Sequence, residues 1–334
     1  MHAAATHAVT ATGLVKNFGD TEALRGIDLE IERATVLGVL GPNGAGKTTA
    51  VRILTTLLHP DAGSATIDGI DVFAHPGQVR ARIGVTGQYA AVDERLTGFE
   101  NLRLVGRLFH LRTSEARTRA TGLLERFGLS DAGDRPVKGY SGGMRRRLDI
   151  AMSLIGQPSV LFLDEPTTGL DPRSRLAMWD LIDGLVAEGM TTLLTTQYLD
   201  EAERLADRIV VIDSGRVIER GTPQELKARV GGERVEITLA DSGDLAKVPA
   251  VLSDLIQPGA EGSVDEAAAR IDLAVPKSDG IVPAVVRALD AAGIPARDVV
   301  VRSPTLDDVF MELTGHHVED AVPDAVDVDA GGER

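Results

Sequence analysis

Five short apolar runs punctuate the first 230 residues: TVLGVLG, IGVTGQ, SVLFLDE, TTLLTTQ and DRIVVID. None alternates apolar with polar residues, so they predict strands buried on both faces, the habit of parallel sheets. Parallel neighbours need crossover connections, and helical stretches fill the gaps between the runs. The opening stretch to about Glu32 has short alternating segments instead and predicts a small antiparallel β layer. Residues from about Thr97 to Arg135 are richer in Leu, Arg and Glu, and predict helices inserted into an α/β core.

The last hundred residues have another rhythm. VEITL, IDLAV and DVVV read as strands. Val248, Val251, Leu252, Leu255 and Ile256 fall on one helical face, as do Val282, Val285, Val286 and Leu289, and again Leu306, Val309, Phe310 and Leu313. Ser303-Pro304 before the last helix reads as a cap followed by proline in the first turn, and Gly315 as its stop. The expectation is a small α+β domain without a catalytic constellation. No internal repeat is visible.

Charge changes the picture at one place. The chain carries 35 basic and 50 acidic residues, net −15. From Gly231 onward there are 8 basic and 21 acidic residues, whereas the first 230 are almost balanced at −2. The Gly231–Gly232 pair therefore reads as the boundary, with a C-terminal domain over 231–316. The acidic stretch 317–334, poor in large apolar groups, reads as a disordered tail, with the His316–His317 pair at its start. The acidic balance and an aromatic content of 3% argue against nucleic acid as a partner. The chain has no cysteine, which excludes disulfides, thiolate metal sites and a Cys nucleophile. The seven histidines show no metal-ligand spacing. No apolar run approaches 18 residues, and the N-terminus lacks a basic start and an apolar segment, so neither a spanning helix nor a secretory signal is expected.

Three motifs carry chemistry. Gly41-Pro42-Asn43-Gly44-Ala45-Gly46-Lys47-Thr48 matches G-x-x-x-x-G-K-[ST], between an apolar strand and a helical stretch. Its glycines let backbone N–H groups turn inward around phosphate oxygens, and the helix start adds a positive end. Lys47 is placed to reach the β and γ phosphates, and Thr48 to hold Mg²⁺. The run Val160–Leu163 ends in Asp164 and Glu165. An Asp there can hold Mg²⁺, and the next Glu can polarise an attacking water. Ser141-Gly142-Gly143 opens a helix whose Leu148, Ala151, Met152 and Ile155 share a face, and makes a second anion-binding end. Two phosphate-holding helix starts in one chain point to two chains pairing head to tail, each nucleotide gripped by both. Arg145, Arg146 and Arg147 read as a solvated helix face with some attraction for phosphate.

In this order the motifs resemble the ATP-binding subunit of ABC transporters over about residues 8 to 230. The resemblance implies an ABC-type P-loop ATPase core with an antiparallel β layer and a helical subdomain over about 97–140, opened by Leu96-Thr97-Gly98-Phe99-Glu100-Asn101-Leu102. It identifies Gln88 as the Q-loop glutamine that senses γ-phosphate and metal, and Gly169-Leu170-Asp171-Pro172 as the D-loop. Phe18 becomes the candidate for stacking on adenine, and Thr49 joins the nucleotide-binding set. Two departures stand out. The signature is Tyr140-Ser141-Gly142-Gly143-Met144, without its usual final Gln, and the switch position, usually His, is Gln197. Gln can donate an N–H to a phosphate oxygen but carries no proton or charge. With YSGGMRRRLDIA and SPTLDDVFMELTG, these departures resemble the daunorubicin-resistance ATP-binding subunits and their drug-exporter relatives.

That resemblance implies ATP and Mg²⁺ as cofactors, a homodimer of ATPase subunits, and a separate transmembrane permease exporting a hydrophobic small molecule such as a drug or antibiotic. It places the protein on the cytoplasmic face of the cell membrane, with Glu165 and Gln197 as catalytic residues. It implies an accessory C-terminal domain for assembly or regulation. A soluble ABC-type ATPase is a second reading. Lys47 and Asp164 lie 117 residues apart without sustained heptads, which disfavours the chromosome-acting type. A weakly hydrolysing regulatory ATP binder, suggested by Gln197 and Met144, is a third.

Overall fold

All five double-sided apolar runs are strands. The structure is a computed structural model that describes residues 6–88, 90–229, 233–256, 263–275 and 280–314. The chain forms two compact units that meet in sequence at Pro223 and Gln224. The Gly231–Gly232 pair, Gly315, the His316–His317 pair and the acidic stretch 317–334 lie outside the described residues.

The first unit begins with β1 (His7–Phe18), β2 (Thr21–Glu32), β3 (Val36–Leu40), α1 (Lys47–Leu54), β4 (Ala62–Ile67), β5 (Ile70–Asp71), α2 (Pro76–Arg80) and β6 (Ile83–Thr86). It continues with α3 (Gly98–Leu108), α4 (Thr113–Arg126), α5 (Gly142–Ser153), β7 (Val160–Asp164), α6 (Pro172–Ala187), β8 (Thr191–Thr196), α7 (Leu199–Leu205), β9 (Arg208–Asp213) and β10 (Arg216–Gly221). A six-stranded sheet runs β10-β9-β3-β8-β7-β6, parallel except for the β10 edge. Every residue of β3, β7 and β8 is buried, as strands covered on both faces require.

The antiparallel layer is larger than the alternation before Glu32 suggests. Its order is β2-β1-β4-β5, so residues 62–71 join it. Leu14, Ile27, Leu29 and Ile31 of this layer share one core with Leu37, Val39, Val51, Phe162 and Leu193. The inserted helices α3 and α4 also form. At α3, Thr97 accepts from the Glu100 N–H while Glu100 accepts from the Thr97 N–H, a reciprocal cap that fixes where the helix starts.

The second unit contains α8 (Pro223–Arg229) from Gln224 onward, β11 (Arg234–Leu239), α9 (Val248–Val251), β12 (Ser263–Asp265), β13 (Arg270–Ala274), α10 (Ile281–Ala291), β14 (Ala296–Arg302) and α11 (Leu306–Thr314). Its sheet is antiparallel in the order β12-β13-β11-β14. Val235, Ile237, Leu239, Ile271, Leu273, Val285 and Leu289 build its core. The helical face expected over Val248–Ile256 is curtailed. A 3₁₀ turn over Ser242–Lys247 leads into a single α turn, and Val248 and Leu252 still point inward. The cap of α11 is Thr305, not Ser303. The Thr305 N–H donates to the Asp308 carboxylate at 2.8 Å, and the Asp308 N–H donates to the Thr305 hydroxyl at 3.3 Å. Leu306, Val309 and Phe310 are buried, whereas Leu313 is on the exposed side.

Candidate functional site

The turn after β3 is too tight for side chains at its ends. A Cβ on Gly41 would lie 2.2 Å from the Ile212 carbonyl oxygen. Gly46 has φ 108°, and its Cβ would lie 2.6 Å from the Ala23 carbonyl. Both positions demand glycine for close backbone approach. Between them Pro42, Asn43, Gly44 and Ala45 complete the loop, and Lys47, Thr48 and Thr49 open α1. The Lys47 ammonium folds back over its own loop, donating to the carbonyls of Gly41 at 2.7 Å and Pro42 at 3.0 Å. The Gly215 N–H donates to the Ala45 carbonyl at 3.1 Å, and the Arg25 N–H to the Gly215 carbonyl at 2.8 Å, so β2 and the β9–β10 turn brace the loop. Phe18 sits at the tip of the β1–β2 hairpin, 49% exposed, with the Lys16 ammonium 5.6 Å from its ring centroid.

The acidic end of β7 faces this helix start. Parallel register sets Asp164 opposite Thr195 of β8, and the Thr195 hydroxyl donates to Asp164 Oδ1 at 2.5 Å. The Thr48 hydroxyl stands 3.4 Å from the same oxygen. Glu165, one residue beyond the strand, holds φ 49°, a left-handed backbone that non-glycine residues adopt at a cost. Its N–H donates to both the carbonyl and the hydroxyl of Thr195, each at 3.1 Å, and the Thr168 hydroxyl donates to its Oε2 at 3.2 Å. Gln88 follows β6 by two residues and is exposed; Gln197 follows β8 directly and is half-buried. All these segments leave the carboxyl ends of neighbouring parallel strands, where open α/β sheets bind ligands.

Ser141, Gly142 and Gly143 form the start of α5. The Ser141 hydroxyl accepts from the Met144 N–H at 3.2 Å, and Ser141 and Gly142 are exposed. Gly143 faces α6, where a Cβ would lie 2.8 Å from the Ser174 hydroxyl. Asp171 caps α6 by accepting from the Ser174 N–H at 3.0 Å, so the second anion-binding end and the Gly169–Pro172 loop are neighbours. Among the described residues no hydrogen bond links Ser141–Gly143 to the phosphate loop of the same chain.

The three arginines do not make one solvated face. Arg145 pairs with Glu94 at 2.8 Å, and Arg147 donates to the Phe127 carbonyl at 3.1 Å. Arg146 is only 6% exposed. Its Nε donates to the Pro166 carbonyl at 2.8 Å, Nη2 to the Asp164 carbonyl at 3.0 Å, and Nη1 to the Gly87 carbonyl and Asp149. Burial lowers the Arg146 guanidinium pKa, and the carboxylates of Asp149, Asp164, Glu201 and Glu165 oppose that fall. Burial pushes the Asp149 carboxyl up, against the Ala91 N–H and Arg146, which pull it down. Arg146, Asp149 and Thr195 are missed by motif reading, as is Glu201. Glu201 is buried on α7 and accepts from the Thr167 hydroxyl at 2.8 Å and the Trp179 indole N–H at 3.1 Å. The Arg146–Asp149 spacing of three residues is the one hint in the chain, since it places the pair on one helix face.

The described residues hold no group of three or more His, Cys, Asp or Glu fit to cage a metal. The Thr48 hydroxyl facing the Asp164 carboxylate is the sparse oxygen set used by a hard cation that keeps waters and phosphates in its shell. Among the described residues no helix is long and apolar enough to cross a membrane.

Comparison with known proteins agrees with this arrangement. The sequence model of the ABC transporter family matches residues 24–168, and that of the ATP-binding protein DrrA1-3-like C-terminal domain matches residues 221–314. The chain is 54% identical to the daunorubicin resistance ATP-binding protein DrrA2 of Streptomyces coeruleorubidus, over 94% of this chain and 97% of that protein. It is 49% identical to the doxorubicin resistance ATP-binding protein of Mycobacterium tuberculosis, over 92% and 93% of the two chains. Among solved structures it resembles CbiO1 of Clostridium perfringens, part of an ABC transporter complex, with a TM-score of 0.62 and 30% identity over 67% of this chain and 91% of that one. It also resembles an ATP-binding cassette solved as a dimer in a post-hydrolysis state with ADP and Pi, with a TM-score of 0.59 and 25% identity over 64% and 98%. Identity at this level along nearly the whole chain shows that it belongs to the ATP-binding proteins of ABC transporters, in the branch with a DrrA-type C-terminal domain, and that it is a nucleotide-binding, ATP-hydrolysing transporter subunit.

Proposed function

We propose that this chain powers export of a hydrophobic, drug-like molecule through a separate permease, by closing on ATP as a homodimer and reopening after hydrolysis. The observation that carries the site reading is the meeting of the Thr48 hydroxyl and the Asp164 carboxylate at 3.4 Å, with Glu165 next in the chain. The loop amides from Gly41 to Gly46 and the α1 N-terminus hold phosphate oxygens, and Lys47 leaves its loop carbonyls to neutralise the β and γ phosphates. Thr48 and Asp164, with Gln88, would hold Mg²⁺, which would supply positive charge to the phosphates. Glu165 orients the attacking water and accepts its proton as the oxygen attacks in line and the β–γ bridge breaks. Gln197 can steady the γ-phosphate through its amide N–H but takes no proton, so proton transfer rests on Glu165. Ser141 and Gly143 close the partner subunit's nucleotide. Phe18 stacks on adenine.

The drug-export reading is supported by likeness to the daunorubicin and doxorubicin resistance ATP-binding proteins of Streptomyces and Mycobacterium. Its test is the Glu165→Gln variant. ATP should still bind, turnover should fall about 10²- to 10⁴-fold, and the protein should elute as a dimer with ATP. Wild-type turnover in that variant would overturn the assignment. Stimulation of ATP turnover by apolar drugs in the complex with its permease is the expected transport signature, and indifference to every such drug would overturn export.

A further inference from the structure

Arg146 occupies a place that the hydrolysis scheme has not used. It lies one turn inside α5, the helix that begins with Ser141 and Gly143. Its planar guanidinium donates to two carbonyls that flank Glu165 in the chain: Asp164 on one side at 3.0 Å and Pro166 on the other at 2.8 Å. A third contact reaches the Gly87 carbonyl, immediately before Gln88. Asp149, one turn on, fixes the remaining edge at 3.3 Å and anchors the following loop through the Ala91 N–H at 2.9 Å.

Glu165 needs such support. Its backbone is left-handed at φ 49°, which a residue with a side chain keeps only where its surroundings over-determine it. Thr195 holds the Glu165 N–H from one side. Arg146 holds the carbonyls before and after from the other. A five-donor rigid fork can do this; a lysine ammonium, compact and on a flexible stem, cannot reach the same carbonyls in one geometry.

We infer that Arg146 is a positioning residue: it sets the Glu165 backbone for water activation and ties it rigidly to the signature helix of the same chain. The inference rests on the roles proposed above for Glu165 and for Ser141–Gly143. Its consequence is directional. A signature end that engages the partner subunit's nucleotide shifts α5, and α5 carries Arg146, so closure at one ATP adjusts the carboxylate that activates water at the other.

The test is Arg146→Lys, which keeps the charge and removes the fork. Turnover should fall about ten- to a hundredfold, the size expected from losing charge-assisted hydrogen bonds. The ATP dissociation constant should stay within about twofold, since no phosphate-loop group is touched, and the variant should still melt cooperatively, at a temperature lowered by the carbonyls left unpaired. A merely structural arginine would not give the next result. In a Glu165→Gln background, Arg146→Lys should leave the single-turnover rate unchanged, because there is no carboxylate left to position. Equal losses in both backgrounds would overturn the inference, as would wild-type turnover of Arg146→Lys. Should that variant fail to fold, Asp149→Asn loosens the same guanidinium. Its turnover should fall several-fold, an effect that vanishes beside Glu165→Gln, and unchanged turnover would again overturn the inference. The underlying functional reading fails separately, if Glu165→Gln alone hydrolyses ATP like wild type.

Discussion

In the ATPase unit Arg146 directs its donors at backbone carbonyls beside Asp164, Glu165 and Gln88. In the C-terminal unit Arg234 and Arg302 direct theirs at side-chain carboxylates. Arg234 Nε meets Asp272 at 2.6 Å, and Arg302 forks between Asp272 and Asp308, with Nε 2.7 Å from Asp272 and Nη1 2.7 Å from Asp308. The first arrangement shapes loops that carry chemistry, and its charge is balanced by one direct partner, Asp149 at 3.3 Å, and by the field of Asp164, Glu201 and Glu165. The second is a cluster in which two cations share two anions, with Glu236 at its edge 4.0 Å from Arg302, and it joins β11, β13 and β14 to α11. Buried arginine thus serves geometry in one unit and cohesion in the other. Changing the first should alter rate with little change in stability; changing the second should do the reverse.

The largest effect that sharpens this contrast is expected at Asp272. Its side chain is 6% exposed and holds both arginines. Asp272→Ala leaves the buried Arg234 and the half-buried Arg302 with Asp308 as their remaining shared anion. Breaking such a pair should destabilise the C-terminal unit by about 3–5 kcal/mol, read as a lower denaturant midpoint for its unfolding. A loss below about 1 kcal/mol, the range of exposed pairs, would mean that the cluster is ornamental and the contrast false.

A smaller effect follows from pH. Burial pushes the Asp308 carboxyl up, but Arg302 and Thr305 outweigh it and hold it at about 2. The folded value lies below that of an unfolded aspartate, near 3.9. The stability it confers is therefore complete above pH about 4 and is lost as pH falls from about 4 toward about 2. Allowing for solvent screening, the loss should be about 1–2 kcal/mol. Thermal melts of wild type and Asp308→Asn between these limits check it, and the variant's curve should be the flatter. Parallel curves would remove Asp308 as the acid-sensitive group.

The two units also differ in how legible they are. The parallel strands announce themselves because burial on both faces removes the apolar–polar alternation, as in Val160–Leu163. Strands β4 and β10 do not, because β4 buries only the side chains of Ala65 and Ile67, and the single buried position of β10 is Gly221, which has no side chain. In the site, the contiguous motifs are readable since each supplies its own backbone geometry. Arg146 is not. Arg145, Arg146 and Arg147 are identical in composition, and only successive helical steps of about 100° send the middle one inward. Thr195 is hidden for a related reason: its role toward Asp164 comes from strand register, which pairs residues 31 positions apart. Strands β11, β13 and β14 of the C-terminal unit are readable from their apolar content and the short β12, Ser263–Asp265, is not, while the ion cluster is assembled from four separate elements and leaves no local signature.

The smallest effect compares one local device placed in both units. Thr97 with Glu100 and Thr305 with Asp308 make the same reciprocal cap. Replacing either threonine by alanine should cost about 1 kcal/mol of stability. The pH dependence should separate them. Glu100 is exposed and keeps water as a partner when the Thr97 hydroxyl goes. The Asp308 side chain is only 9% exposed, and the Thr305 hydroxyl donates to its Oδ2 at 2.8 Å, so removing that bond leaves Arg302 and the Thr305 N–H to hold the charge. Weaker support for the anion raises its folded pKa toward the unfolded one. Thr305→Ala should therefore flatten the acid limb of the stability curve between pH about 4 and about 2, while Thr97→Ala should flatten it less, because the Glu100 carboxyl, though also held low by the Thr97 N–H and hydroxyl, is exposed to water. Equal slopes in the two variants would show that Arg302 alone keeps Asp308 ionised, and that the cap at α11 is as independent of the buried charges as the cap at α3.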